Sequence, residues 1–267
     1  MTLFHLFLVA VIQGLTEFLP ISSSGHLILL PELTRLADQG QGVDVAVHVG
    51  TLLAVILYFR ADVALAARGI PDLLRGRIDS PGGRLAFLLL IATLPVIVIG
   101  LAFKVTGLDD ALRSVAVIGW TMLIFGIVLY VVDQRGATTR ETADWTRRDA
   151  LTMGLWQAVA LIPGTSRSGI TISAARYLGY AREDAARLSM LMSIPTIIAS
   201  GVLVGADAAM NADAQMWHDA GIGAIFAFVS ALLALTLMMR LLRSVSFTPY
   251  VIYRVVLGVL LLVYAYS

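Results

Sequence analysis

Glu17, the hydroxyl run Ser22, Ser23 and Ser24, and His26 fall close together in the stretch QGLTEFLPISSSGHL, residues 13–27. A carboxylate, a hydroxyl and an imidazole are the parts of a nucleophile with its proton handlers. If Ser23 caps the helix that resumes after the serines, His26 at i+3 lies on the same side of its first turn. The imidazole can then deprotonate the hydroxyl or hand a proton to a leaving phosphate. Glu17 lies one helical turn after Gln13, so both project the same way. From there Glu17 can orient His26, act as base, or hold a divalent cation that bridges phosphate oxygens. Glutamine is a weak cation ligand, so Gln13 and Glu17 would need substrate oxygens and water to complete a metal shell.

A second cluster, IPGTSRSG at 162–169, supplies Gly164, Thr165, Ser166, Arg167 and Ser168. Helical pattern resumes after each cluster, as HLILLPELTRL and ITISAARYLG. Serines ahead of a helix are caps, and a helix start presents free N–H groups that suit an anion. Arg167 adds a planar fork of donors matched to phosphate oxygens. The two starts, lined by Ser22, Ser24 and their counterparts in the second cluster, together describe a phosphate cradle. Serine and glycine in membrane helices also serve close packing. A buried Glu or Arg is costly and marks a site or pathway more strongly.

The elements that must position these residues are apolar. The 267-residue chain is 58% hydrophobic and 14% charged, with mean hydropathy +0.86. Soluble domains are about 25% charged, so this reads as a single integral membrane domain over 1–267. Net charge of +1 argues against nucleic acid as a partner, and the lack of cysteine excludes disulfides and thiolate metal sites. The N-terminal apolar stretch has no basic leader and holds Gln13 and Glu17, unlike a cleavable signal.

Spans of about 20 residues are expected near 43–59, 85–106, 114–132, 186–205, 221–242 and 249–266, six in all. The segments 3–36 and 150–178 are apolar but broken at their polar clusters. Each half is too short to cross, so both read as re-entrant hairpins, whose backbone must be buried in protein or line a wet cavity. Residues 60–80 read as a surface amphipathic helix. Arginine-rich linkers 60–84 and 133–149 contrast with an acidic 206–220 and predict a cytoplasmic side for the former, with both termini outside.

Gln13, Ser22, Ser24 and Gly25 recur 144 residues further on as Gln157, Ser166, Ser168 and Gly169, with Pro20 and Pro163 just upstream. Three spans follow each hairpin, which inverts the second copy. The expectation is an all-α inverted-topology repeat, about 1–133 and 146–267, whose broken helices meet near the midplane.

On QGLTEFLPISSSGHL and PGTSRSG, with HVGTLLAV and SFTPYVIYR, the whole chain resembles the undecaprenyl-diphosphate phosphatase family, the BacA type linked to bacitracin resistance. The resemblance implies a bacterial plasma-membrane enzyme that removes the terminal phosphate of undecaprenyl diphosphate and so recycles the lipid carrier for envelope polymers. It implies a site opening to the outer face. It maps the first motif onto Gln13, Glu17, Ser22, Ser23 and His26, and the second onto Gly164, Ser166, Arg167, Ser168 and Thr171. It also implies help from Mg²⁺ or Ca²⁺, bound with the substrate. Some members carry a carboxylate where this chain has Gln13, which weakens a two-carboxylate metal site. The favoured mechanism is attack by Ser23 on the terminal phosphorus, with His26 and Glu17 moving protons and Arg167 with the helix starts stabilising charge. Attack by His26 or by water stays open.

The rival reading is a transporter or flippase of a phosphate-bearing lipid or anion, since broken helices in inverted repeats also carry ions. A carrier has no need of a nucleophile beside a base. Elsewhere, His48 reads as a satisfied core histidine, Met190 and Met192 as packing, and Arg176, Arg182 and Arg187 as an anchor to anionic headgroups. A homo-oligomer is left open, with Gly201 and Gly205 forming only a weak GxxxG near a span's end.

Overall fold

A computed structural model describes residues 1–34, 40–210 and 214–267. Gly205, the last residues of the 3–36 segment and Asp213 of the acidic linker fall where side chains or backbone lie outside the described residues. The described chain is helical: α1 Leu3–Phe18, α2 Ser23–Thr34, α3 Gly40–Tyr58, α4 Arg60–Leu74, α5 Pro81–Thr106, α6 Leu108–Ala111, α7 Val115–Arg135, α8 Arg147–Ala158, α9 Arg167–Tyr177, α10 Arg182–Met210, α11 Ala214–Leu241 and α12 Thr248–Tyr266. Single 3₁₀ turns cover Thr142–Asp144 and Val159–Leu161.

Among the described residues six helices are long and apolar enough to cross a membrane, namely α3, α5, α7, α10 over Arg182–Leu203, α11 and α12. These are the six expected spans, each within four residues of its predicted bounds except at the start of α11, which lies seven residues before the expected 221. Their outward residues are apolar: Leu94, Val98, Ile124, Val229, Leu233 and Leu237 are all exposed. In water such a surface would be untenable, and against acyl chains it costs nothing. The chain is therefore a multi-pass membrane protein. Helix α4 occupies the position of the expected amphipathic segment.

Local signals account for the boundaries. Ser80 accepts from the Gly83 amide at 3.1 Å with Pro81 at the first helical position, which starts α5. Gly107, at φ 68°, ends it in the left-handed conformation that glycine adopts freely. Thr146 and Asp149 form a reciprocal capping box at α8.

Helix α1 packs on α11 and α8 packs on α5, while α3 meets α10 and α7 meets α12. Small residues let these backbones approach: a Cβ on Gly154 of α8 would sit 2.6 Å from the Ala92 carbonyl oxygen of α5. The main core joins Phe18, Trp145, Met153, Ile172, Tyr180 and Phe247, with Met190 and Met192 fully buried in it, as expected of packing residues. A second cluster lies between α1, α3 and α11, around Leu6, Val9 and Val47.

The headgroup-anchor reading is corrected for Arg176, and Arg182 and Arg187 are found in ion pairs. Arg176 has no exposure and donates to the Asp133 carboxylate and to the carbonyls of Asp133, Gly136, Ala137 and Tyr180. Arg182 joins it on Asp133 at 2.7 Å. Arg187 pairs with Asp62. These charges tie helices together, and Asp62 and Asp133, overlooked as partners, are why.

Candidate active site

Both broken segments stop their first helix in the same way. Helix α1 ends where Leu19 turns extended ahead of Pro20, and the 3₁₀ turn after α8 ends where Ile162 turns extended ahead of Pro163. Each then reverses through a serine in the left-handed region, Ser22 at φ 76° and Ser166 at φ 71°. Each of these serines caps the next helix: Ser22 Oγ accepts from the Gly25 amide at 3.3 Å, and Ser166 Oγ from the Gly169 amide at 3.1 Å. Their hydroxyls also pair with those of Ser24 and Ser168. A non-glycine residue at positive φ costs on the order of 1–3 kcal/mol and persists only where its surroundings hold it.

The cap is thus Ser22, one residue before the expected Ser23. This frees the Ser23 hydroxyl, which opens the helix and donates to Glu17 Oε2 at 2.7 Å. Gln13 Nε2 donates to the same oxygen at 2.9 Å, one turn back on α1 as anticipated. The other carboxylate oxygen accepts from Arg167 Nη2 at 2.7 Å. Ser168 Oγ donates across to the Leu19 carbonyl at 2.9 Å. Thr171 turns instead onto Ser189 and the carbonyls of its own helix. Thr165 is fully buried, with a hydroxyl that has no partner among the described residues.

A cavity of about 560 Å³ opens at this junction, lined on its polar side by Glu17, Ser22, Ser23, Ser24, Ser166 and Arg167. The two clusters, distant in sequence, therefore share one wall. Gly164, at φ 86°, faces Thr121 and Ile118 of α7 so closely that a side chain there would collide. It shapes the turn rather than lining the cavity. Apolar residues from α3, α5 and α10, among them Val49, Leu52, Val96, Ile197 and Val202, complete the walls. Val49 and Val202 are also exposed at the outer surface. A larger open cleft of about 750 Å³, lined by Arg60 and by the Asp62–Arg187 ion pair, holds neither motif.

Two further departures concern histidine. His26 does not point at Ser23: its Nδ1 lies 2.6 Å from the Ser22 carbonyl and its Nε2 lies 2.6 Å from the Tyr253 hydroxyl. His48 is half-buried on the cavity wall, with Nε2 3.9 Å from Glu17 Oε2, so it is no core histidine. Gln13 and Glu17 are the pair expected to help hold a cation that arrives with the substrate. The one carboxylate of the pair is already occupied by Arg167, Ser23 and Gln13, and no group of three acidic or histidine ligands occurs among the described residues.

Sequence reasoning missed Arg254 of α12. It is wholly buried and donates to five carbonyls: Met122 at 3.3 Å, Pro20 at 3.2 Å, Thr121 at 3.3 Å, Gly164 at 3.1 Å and Thr165 at 2.8 Å. One side chain so fastens the turns of both broken segments to α7. Its signal was present, an arginine inside an apolar span. Arg167 complements it on the cavity side, where its Nη1 is buried without a partner among the described residues.

Fold and site together define a helical membrane protein that builds a polar, anion-suited pocket inside an apolar bundle, with a hydroxyl set against a carboxylate. Comparison with known proteins gives the family. The chain belongs to the family described as Bacitracin resistance protein BacA, whose family model matches residues 6–260. It is 74% identical over the full length of both chains to a protein of Dinoroseobacter shibae named undecaprenyl-diphosphatase, and 70% identical, again over both full lengths, to one of Jannaschia sp. with that name. A protein of Teredinibacter turnerae so named is 46% identical over 98% of this chain and 99% of its own.

Proposed function

We propose that this chain hydrolyses undecaprenyl diphosphate to undecaprenyl phosphate and inorganic phosphate, the activity named for its relatives, and so returns the lipid carrier to cell-wall synthesis. The observation that carries the mechanism is the Ser23 hydroxyl 2.7 Å from Glu17 Oε2, with Arg167 on the opposite oxygen. In this reading Ser23 Oγ attacks the terminal phosphorus while its proton passes to Glu17. The bond from that phosphorus to the bridging oxygen breaks, and undecaprenyl phosphate leaves. Water then cleaves the phosphoserine, releases phosphate and restores the hydroxyl. Arg167, through its unpartnered Nη1, and the amides at the starts of α2 and α9 take the phosphoryl charge. The matched packing of α1 on α11 and α8 on α5, and the matched serine turns, support the inverted-repeat, re-entrant arrangement. The arginine-rich linkers favour termini outside, and the family resemblance implies a site opening to the outer face. Mg²⁺ or Ca²⁺ would arrive on the diphosphate, and no step is assigned to it. A pure carrier would account for Arg167 but not for Ser23 against Glu17.

The test is phosphate release from undecaprenyl diphosphate by purified protein in detergent, with Ser23→Ala alongside. Turnover by the parent protein and its collapse in the variant are expected. Unimpaired turnover in Ser23→Ala removes Ser23 as nucleophile, and no turnover by the parent removes the function.

A further inference from the structure

The His26 imidazole is spoken for on both sides. The Ser22 carbonyl can only accept, so Nδ1 carries the hydrogen, and the neutral ring then accepts the Tyr253 O–H at Nε2. The two rings also lie nearly parallel, 8° apart with centroids 5.7 Å apart. Neither nitrogen is left for Ser23, whose proton already points at Glu17. Ser22, the acceptor, is one of the two non-glycine residues with positive φ among the described residues, so its conformation has to be enforced from outside. Arg254, next to Tyr253 on α12, does the equivalent service by binding Pro20, Gly164 and Thr165.

We propose that His26 is a positioning residue and Tyr253 its partner: the chain from Tyr253 O–H through the His26 ring to the Ser22 carbonyl fixes the left-handed serine and thereby aims Ser23 at Glu17. This deepens the proposed phosphatase reading, on which its kinetic arm rests. In the reaction His26 neither takes nor gives a proton. Asparagine at 26 keeps an N–H where Nδ1 stands and has no imidazole, so it separates holding from proton transfer.

Steady-state phosphate release is measured for the parent, His26→Asn, His26→Ala and Tyr253→Phe, each shown to unfold cooperatively. His26→Asn should keep kcat within about tenfold of the parent, with KM and the shape of the pH profile unchanged. His26→Ala should lose about a hundredfold in kcat, the cost of a misplaced reacting group. Tyr253→Phe should lose about tenfold or less and add nothing to His26→Asn. Nitrogen NMR of labelled histidine, assigned by difference against His26→Asn, reads the ring directly. An Nδ1–H tautomer whose Nε2 signal moves in Tyr253→Phe is expected. A folded His26→Asn as dead as His26→Ala, a lost limb of its pH profile, or an Nε2–H tautomer would overturn the proposal. The NMR arm decides it even if the parent releases no phosphate, which would count against the phosphatase reading alone.

Discussion

Arg167 Nη2 lies 2.7 Å from Glu17 Oε1, joining two residues 150 positions apart in the chain. Both side chains are largely buried, at 14% and 6% exposure. Removing one partner leaves a charge without its counter-charge in a low-dielectric setting. Glu17→Ala and Arg167→Ala are each expected to destabilise by about 3–5 kcal/mol. The double variant should be milder than their sum, since contacting residues couple by about 0.5–3 kcal/mol. Thermal unfolding in detergent measures this, and simple additivity would mean the pair is not coupled.

Ser23→Ala and Ser22→Ala should behave differently although the residues are adjacent. The first removes the attacking oxygen and should cost about a thousandfold or more in kcat. The second removes a cap and should cost about 1 kcal/mol of stability with a smaller loss of rate. Acid quenching with labelled substrate should leave phosphate on Ser23 in the parent protein. Label on His26 would contradict this assignment.

Arg254→Met should be among the most damaging single changes outside the cavity wall. Five carbonyls lose a donor at once, three of them, Pro20, Gly164 and Thr165, in turns outside any helix, and unsatisfied buried groups cost about 1–3 kcal/mol each before relaxation. Arg254→Lys should rescue only part, because an ammonium is a point donor rather than a fork. Equal unfolding temperatures for Lys and Arg would show that charge alone matters.

Cation dependence should be a property of the complex. Without substrate, the purified protein is expected to retain no stoichiometric Mg²⁺ or Ca²⁺ by elemental analysis after desalting. One equivalent of tightly held metal would show that Gln13 and Glu17, despite Arg167, form a resident site.

At the charged end, Asp149 accepts from Thr146 Oγ1 at 2.7 Å and Tyr180 at 2.9 Å, and pairs with Arg140. Burial favours the protonated acid, but the bonds from Arg140, Thr146 and Tyr180 outweigh it and hold the carboxyl below its ordinary value of 3.8. A lowered folded-state value contributes stability that is present above the unfolded value and is lost as pH falls through the folded one. The melting temperature should therefore fall as pH drops below about 4. Asp149→Asn should start lower and show a shallower acid limb, and an unchanged limb would assign that loss to other carboxylates.

The spans and both clusters were readable in the sequence because hydropathy and rare intramembrane charges are strong local signals. Gln13 and Glu17 at i, i+4 met as periodicity demanded. Capping by Ser22 was not readable, since three consecutive serines offer the same side chain and only the positive φ of Ser22 chooses between them. His48 was misjudged because a histidine in an apolar run looks the same whether it faces core or cavity. The partners of Arg176, Arg187 and Arg254 come from segments far away in sequence, and no spacing rule reaches that far.

The serine turns are braced by contacts wholly internal to the chain: amides one turn on, the His26 ring and the Arg254 guanidinium. An incoming headgroup thus meets a mould already set and spends none of its affinity on shaping it. Phosphate mimics should therefore associate in a single fast phase whose rate rises linearly with concentration, with no slow isomerisation behind it.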